Sequence, residues 1–335
     1  MLNYLFFLIP LIILITNFIF KKKLFLCSYT GNKHQKFANI ENIPLTGGIF
    51  FYLFILLFFF DELFSYHIFL FLIFLIGIFS DLNSIKSANK RFLLQAFTVL
   101  ICVVFNQMSI QNTGIDLLDK ILFYKVFNYI FLTFCILVII NGSNFIDGLN
   151  TLTIGYYISL IFIIFKLDLF QIIGFETFKI IYLLFILVFI FFINFLNKMF
   201  LGDSGSYLFG SLVALNTIVT DNLNSNVSSF FLCILLSYLF FEVFFSFMRK
   251  IYQKKSPVLP DNEHLHMLSY IKVSKIFGID KGNYLNSIII NSIFSVLVLP
   301  SLYFADNGSV CKYWFFILIL IYTSVYIRLY RLTKN

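Results

Sequence analysis

Apolar runs of roughly 14 to 21 residues recur eleven times along the chain, and no other feature constrains its fold as tightly. They occupy residues 2–20, 43–60, 63–80, 92–108, 123–140, 152–165, 179–196, 204–220, 228–248, 284–304 and 313–329. About 20 such residues cross a bilayer as one helix, whereas the strands of a membrane barrel alternate in units of about ten. The chain is 60% hydrophobic and 12% charged, against about 45–50% and 25% for soluble domains. The expectation is an all-α integral membrane protein, a polytopic bundle of about eleven transmembrane helices forming one domain over residues 1–335. The shortest runs, such as 152–165, must borrow flanking residues or thin the bilayer locally. Leu2–Phe20 has no basic segment before it and no small-residue cleavage site after it, so it reads as a first span rather than a signal peptide.

The net charge is +8, and its placement is informative. Connections 21–42, 81–91, 141–151, 197–203 and 249–283, with the C-terminal tail, hold every Lys and Arg except Lys120, Lys125, Lys166, Lys179 and Lys312. The positive-inside rule puts that set in the cytoplasm, so the N-terminus is expected outside and the C-terminus inside. The basic balance is then topological; it predicts no nucleic-acid partner and suits anionic lipid and phosphorylated substrates. The five cysteines are scattered, with no CxxC pair, which indicates neither a disulfide framework nor a zinc site. Three acids, Asp81, Asp147 and Asp203, stand at span boundaries on the cytoplasmic side, whereas Asp61, Glu62, Asp116, Asp119, Asp168, Glu176, Asp221 and Asp306 fall in the outer connections.

Five polar stretches gather on that face. In Asn141–Asn150 (NGSNFIDGLN), Asn141, Asn144 and Asp147 are three apart and would line one helical face. Polar groups at a membrane edge are costly unless they act. Gly47-Gly48 suits either close helix packing or close approach to a ligand. Ser80-Asp81 faces Arg91 and Gln95 across a short hairpin, either as a structural Asp–Arg pair or as a site where Arg grips phosphate and Asp handles a metal or proton. In Asn197–Ser206 (NKMFLGDSGS), Asp203 or Ser204 would cap the next helix. The same Gly/Ser-rich start beside Lys198 is also a phosphate site, and its Asp a Mg²⁺ ligand. The loop 249–283 carries Arg249, Lys250 and the weak metal pattern His264-Leu265-His266. Glu242 precedes it inside a span and calls for either a Glu–Arg or Glu–Lys contact or a functional role.

In this order and on one membrane face, these stretches resemble the polyprenyl-phosphate N-acetylhexosamine-1-phosphate transferase family, over about Pro44–His266. The phospho-MurNAc-pentapeptide transferase of peptidoglycan synthesis is a relative. The resemblance implies a Mg²⁺-dependent reaction (Mn²⁺ as substitute) at the cytoplasmic face of a bacterial inner membrane. A polyprenyl phosphate attacks the β-phosphate of a UDP-N-acetylhexosamine, UMP leaves, and a diphosphate-linked sugar starts a cell-surface glycan. Asp81 matches the second acid of an Asp-Asp motif, Arg91 and Gln95 an Arg-x-x-x-Gln, and Asn144 and Asp147 an Asn-x-x-Asp-Gly element. Asp203 matches the metal-binding Asp of Gly-Asp-x-Gly-Ser, with Asn144 beside it in the metal site, and Phe200 a ring that stacks on uracil. His264 and His266 match a His-x-His-His loop, and Glu242 an acid near the end of the ninth span. Catalysis is thereby expected of Asp81, Asp147 and Asp203, and substrate binding of Asn144, Phe200, Lys198, Arg91, His264, His266, Gly47 and Gly48. The resemblance leaves a homodimer open.

Four positions depart from the pattern: Ser80 for the first acid, Asn150 for Asp, Met267 for the third histidine and Asn262 for a basic residue. If the first acid activates the lipid phosphate, this chain lacks that base. A phosphate monoester is already mostly ionised at neutral pH, its second pKa being about 6, so the retained Asp81, Asp147 and Asp203 suggest an active variant. The His-Leu-His-Met loop favours a nucleotide-sugar donor for surface polysaccharide over the peptidoglycan enzyme. From another class, a secondary transporter would place its acids near the midplane in repeated halves, and the sequence shows neither.

Overall fold

The apolar runs fold as helices almost one for one. The computed structural model describes residues 2–27, 42–167, 169, 177–224, 226–256 and 263–334, and every regular element among them is helical. In order these are α1 (Leu2–Lys22), α2 (Gly47–Phe58), α3 (His67–Asp81), α4 (Ala88–Phe105), α5 (Asp116–Leu122), α6 (Lys125–Ile146) and α7 (Leu152–Lys166). There follow α8 (Thr177–Phe195), α9 (Gly202–Leu223), α10 (Ser229–Leu235), α11 (Ser237–Tyr252), α12 (Leu265–Phe277), α13 (Ile279–Val298) and α14 (Gly308–Lys334). Asn262, Asp168, Glu176 and most of the 21–42 connection lie outside the described residues.

Five described helical stretches are long and apolar enough to cross a membrane: Phe64–Asp81, Ala88–Phe105, Lys125–Ile146, Ile279–Phe304 and Gly308–Thr333. The pair α10–α11, bent by 73°, makes a sixth if it is one span, and Gly47–Phe58, Leu152–Lys166 and Lys179–Phe195 are shorter apolar helices. The chain is a multi-pass helical membrane protein; the expected eleven crossings exceed what length and composition of these helices establish. Three boundaries also differ from expectation. The polar stretch from Asn141 is no loop: α6 runs on to Ile146 because its amides find partners on other helices, as described below. The ninth run is broken at Leu236, and the 249–283 connection contains α12.

The bundle is centred on α9, which packs against α3, α6 and α2 and is buried along most of its length. Lipid is as apolar as a leucine side chain, so helices here associate through close packing and polar contacts rather than by escaping water. Small residues allow that closeness. A Cβ added at Gly48 or Gly77 would overlap Ser204, including its backbone, so α2 and α3 meet the start of α9 backbone to backbone. One turn deeper, Phe209 stacks on Phe51 (4.0 Å between centroids) and on Tyr157 (5.2 Å). This arrangement brings the ends of α3 and α6 and the beginnings of α4 and α9 to one place.

Candidate active site

Asp203 is the hub of that place. It lies in the first turn of α9, just after Gly202, whose φ of +76° is the left-handed conformation glycine adopts without penalty. Its Oδ2 accepts from Ser80 Oγ (2.5 Å) and Arg91 Nη1 (2.6 Å), and its Oδ1 from Asn144 Nδ2 (2.8 Å). Arg91 Nη1 also donates to Ser80 Oγ at 2.6 Å. Ser87 caps the start of α4 and so sets the face carrying Arg91 and Gln95. Buried Gln95 accepts from Asn141 (3.1 Å), and Asn144 reaches Ser206 Oγ (3.2 Å) while Ser143 donates to Ser206 O (2.6 Å). These bonds explain why a polar sequence stays helical through the last turns of α6, since the side-chain amides of Asn141 and Asn144 both find partners on other helices.

Asp81 does something other than pair with Arg91. Fully buried at the end of α3, it accepts from the backbone N–H of Asp203 (2.8 Å) and of Ser204 (3.1 Å). It therefore caps α9 from another helix, satisfying two of the four free N–H groups of that terminus and meeting its positive dipole end. The capping expected of Asp203 or Ser204 is corrected accordingly: the N-cap position, Leu201, offers no side-chain bond. The Asp–Arg pair exists with the other partner, Arg91–Asp203. Gly47 and Gly48 donate their N–H groups to Phe200 O (3.0 Å) and Leu201 O (3.1 Å). They hold the segment entering α9, and Phe200 N donates to Pro44 O (2.9 Å). Phe200 is half-buried and Lys198 exposed on that segment.

Asp147 ends α6, half-buried. Burial pushes its carboxyl well above the usual carboxylate range; the Thr153 hydroxyl opposes the rise, and the charges of Asp203 and Asp81 add to it. The chain beyond it is pinned by asparagines. Asn150 N donates to Asn283 Oδ1 (2.9 Å), the Asn150 amide bonds Asn197, and Thr151 N donates to Asn194 Oδ1 (2.6 Å). Thr151 is thereby held at φ +65°, an unfavourable region for a β-branched residue. Asn150 is buried in this network, so its departure from the family's Asp is a structural matter.

The two histidines reach the same segment from the other side. A Cβ on Gly148 would sit 2.6 Å from His266 Nε2. The partner of Glu242 is neither Arg nor Lys: its Oε2 lies 2.9 Å from His264 Nδ1 and its Oε1 3.8 Å from His266 Nδ1. All three groups are buried, the two imidazoles lie nearly parallel (14°), and the His264 ring is 5.0 Å from Phe145. Both Nδ1 atoms face the carboxylate. Lys250, almost wholly buried, stands 5.8 Å over the Phe145 ring. In the sequence Lys250 reads only as a topology signal, and its place near the end of an apolar span is the one hint of burial.

Among the described residues no group of three or more His, Cys, Asp or Glu is arranged as a ready metal cage. The donor chemistry nonetheless fits Mg²⁺, which takes hard oxygens from one or two carboxylates and completes its shell with water and substrate phosphate. Asp203 offers a carboxylate at the cleft, and Asn144, spending its Nδ2 on Asp203, keeps its carbonyl oxygen for acceptance. The site thus combines carboxylates, a guanidinium and amides at a helix N-terminus, the parts that position and neutralise phosphate.

The glycosyl transferase family 4 model matches residues 63–221, a stretch that takes in Ser80, Asp81, Arg91, Asn144, Asp147 and Asp203. The chain is also similar to the undecaprenyl-phosphate alpha-N-acetylglucosaminyl 1-phosphate transferase of Thermotoga maritima, 27% identical over 234 residues, or 70% of each chain. The matched stretch is the one that folds into the Asp203 hub.

Proposed function

We propose that this protein transfers a HexNAc-1-phosphate from a UDP-N-acetylhexosamine to a polyprenyl phosphate such as undecaprenyl phosphate. An oxygen of the lipid phosphate attacks the β-phosphorus of the donor; the bond from that phosphorus to the oxygen bridging to the α-phosphate breaks, and UMP leaves with the bridging oxygen. The observation that carries this reading is the convergence of Arg91, Asn144 and Ser80 on Asp203 at the ends of four helices. Phosphoryl transfer asks a protein chiefly for positioning and charge neutralisation, and these residue types supply both.

In this reading Asp203 and Asn144 hold Mg²⁺, which when bound neutralises phosphate charge and orients the diphosphate. Arg91 presents a guanidinium fork to phosphate oxygens. Asp147, close enough to feel the charge of Asp203, would face the reacting phosphates, with His264 and His266 closing the other side. The Phe200 ring stacks on uracil, and Lys198 lies at the mouth of the cleft. Asp81 acts by fixing the start of α9. With Ser80 in place of an acid, the lipid phosphate enters already ionised. An apolar cavity of about 460 Å³ between α6, α9, α11 and α14, lined by residues such as Ile136, Phe241 and Phe315, suits lipid chains. The positive-inside distribution of Lys and Arg supports an active site facing the cytoplasm of a bacterial inner membrane.

The test is UMP release. Purified protein given undecaprenyl phosphate, Mg²⁺ and a panel of UDP-N-acetylhexosamines should release UMP with at least one donor, and Asp203→Asn should abolish it without unfolding the protein. Absence of UMP with every donor would remove this function.

A further inference from the structure

Asp203 already carries a cation, the Arg91 guanidinium. Arg91 Nη1 sits 2.6 Å from Oδ2, and Ser80 Oγ bridges the two, 2.6 Å from the guanidinium and 2.5 Å from the carboxylate. The pair is accessible from outside the bundle, with side chains 22% and 16% exposed. The groups around it are fixed: both oxygens of Asp81 are taken by the N–H groups of α9, and Asn144 is shared between Asp203 and Ser206. Arg91, by contrast, is held within the hub only by Ser80 and Asp203 among the described residues. A divalent ion needs an unshared carboxylate oxygen at about 2.0–2.1 Å, and a dication beside a guanidinium on one oxygen is strongly repelled. Oδ2 can serve one or the other.

We infer that Arg91 is an exchangeable counter-ion of Asp203. It neutralises the carboxylate before a divalent ion arrives and passes to a phosphate of the donor when the ion takes Oδ2. The guanidinium fork accepts either partner, since carboxylate and phosphate present the same pair of oxygens. Ser80 suits the exchange: a neutral hydroxyl holds the pair together without adding a second negative charge that would keep Arg91 in place. The consequence is thermodynamic coupling. The divalent ion binds weakly alone and more tightly when a diphosphate is present to receive Arg91, and the diphosphate gains equally from the ion. This rests on the proposed function for the identity of the diphosphate; the competition for Asp203 rests on geometry alone.

The experiment is Mn²⁺ binding, followed by the loss of free-ion EPR signal on purified protein in detergent, with and without UDP. UDP should tighten Mn²⁺ binding to the wild type by about tenfold, within the usual range of coupling between sites. Arg91→Gln should bind Mn²⁺ alone about tenfold more tightly than the wild type and gain little further from UDP. Arg91→Lys, which keeps the charge but not the fork, should fall between them and carries the test if the Gln variant fails to fold. Asp203→Asn should lose the site. Mn²⁺ affinity without UDP that is no higher in the folded Arg91 variants than in the wild type would overturn the inference, as would undiminished binding by Asp203→Asn. Failure of the proposed transfer would show separately, as absent UMP release beside intact Mn²⁺ competition.

Discussion

Two acids of this protein illustrate how surroundings decide the work a carboxylate can do. Glu242 is buried with Oε2 in hydrogen-bond contact with His264 Nδ1 (2.9 Å) and Oε1 within charge reach of His266 Nδ1 (3.8 Å), which leaves both Nε2 atoms turned away from it. Glutamine offers one acceptor and one donor, and one ring would have to change tautomer. Glu242→Gln should therefore lower turnover by about tenfold, the scale of a lost orienting contact to an imidazole. Glu242→Ala should in addition destabilise the fold by about 3 kcal/mol, as removing one member of a buried pair does. Wild-type turnover in the Gln variant would contradict this account of the histidines. At Asp147, burial favours the neutral carboxyl. The folded state then binds its proton more tightly than the unfolded chain, so the stabilisation is complete below the unfolded pKa of about 3.9 and is lost as pH rises through the raised native value. Asp147→Asn should melt higher than wild-type ligand-free protein at pH 8 and no higher at pH 4, while losing activity. Equal shifts at both pH values would contradict the burial argument.

At the scale of elements, the start of α9 depends on its neighbours. Asp81 holds two N–H groups of that terminus from α3. Asp81→Ala should cost about 2 kcal/mol through the lost cap and the buried N–H groups left unpaired, and Asp81→Asn less. Melting temperatures in detergent check this. An Asp81→Ala protein as stable as wild type but inactive would return Asp81 to the chemistry. That role could not be read in the sequence, because the two partners are over 120 residues apart and Asp81 beside Arg91 suggests the more local pair. The helices themselves were legible, since lipid demands long apolar runs and this chain supplies them. Their polar ends were legible only in part: Asn141 and Asn144 keep a helical spacing, but the partners on α4 and α9 that satisfy them lie far away in the sequence. The break at Leu236 has neither proline nor glycine to announce it, and α12 lies in a connection whose basic residues read as a topology signal. The resemblance named Arg91, Asn144 and Asp203 one by one, and the fold brings them together; Gly47 and Gly48, for which close helix packing was the other reading, hold the segment entering α9.

For the whole molecule, the account requires the Asp203 hub, the α11–α12 connection and the basic charges to share one side of the membrane. A single cysteine placed at Lys254 in a cysteine-free background should react with an impermeant thiol reagent only in inverted vesicles, and one placed at Lys120 only in right-side-out vesicles. The reverse pattern would contradict the orientation drawn from the Lys and Arg distribution. The central claim is that this site transfers a phosphosugar and not a bare sugar, and the fate of the β-phosphorus separates the two. Purified protein in nanodiscs would be given undecaprenyl phosphate, Mg²⁺ and UDP-N-acetylhexosamines labelled with ³²P at the β-position. Label should move into the lipid fraction in step with release of unlabelled UMP. Label recovered in the aqueous phase as UDP, with an unlabelled sugar on the lipid, would contradict the claim.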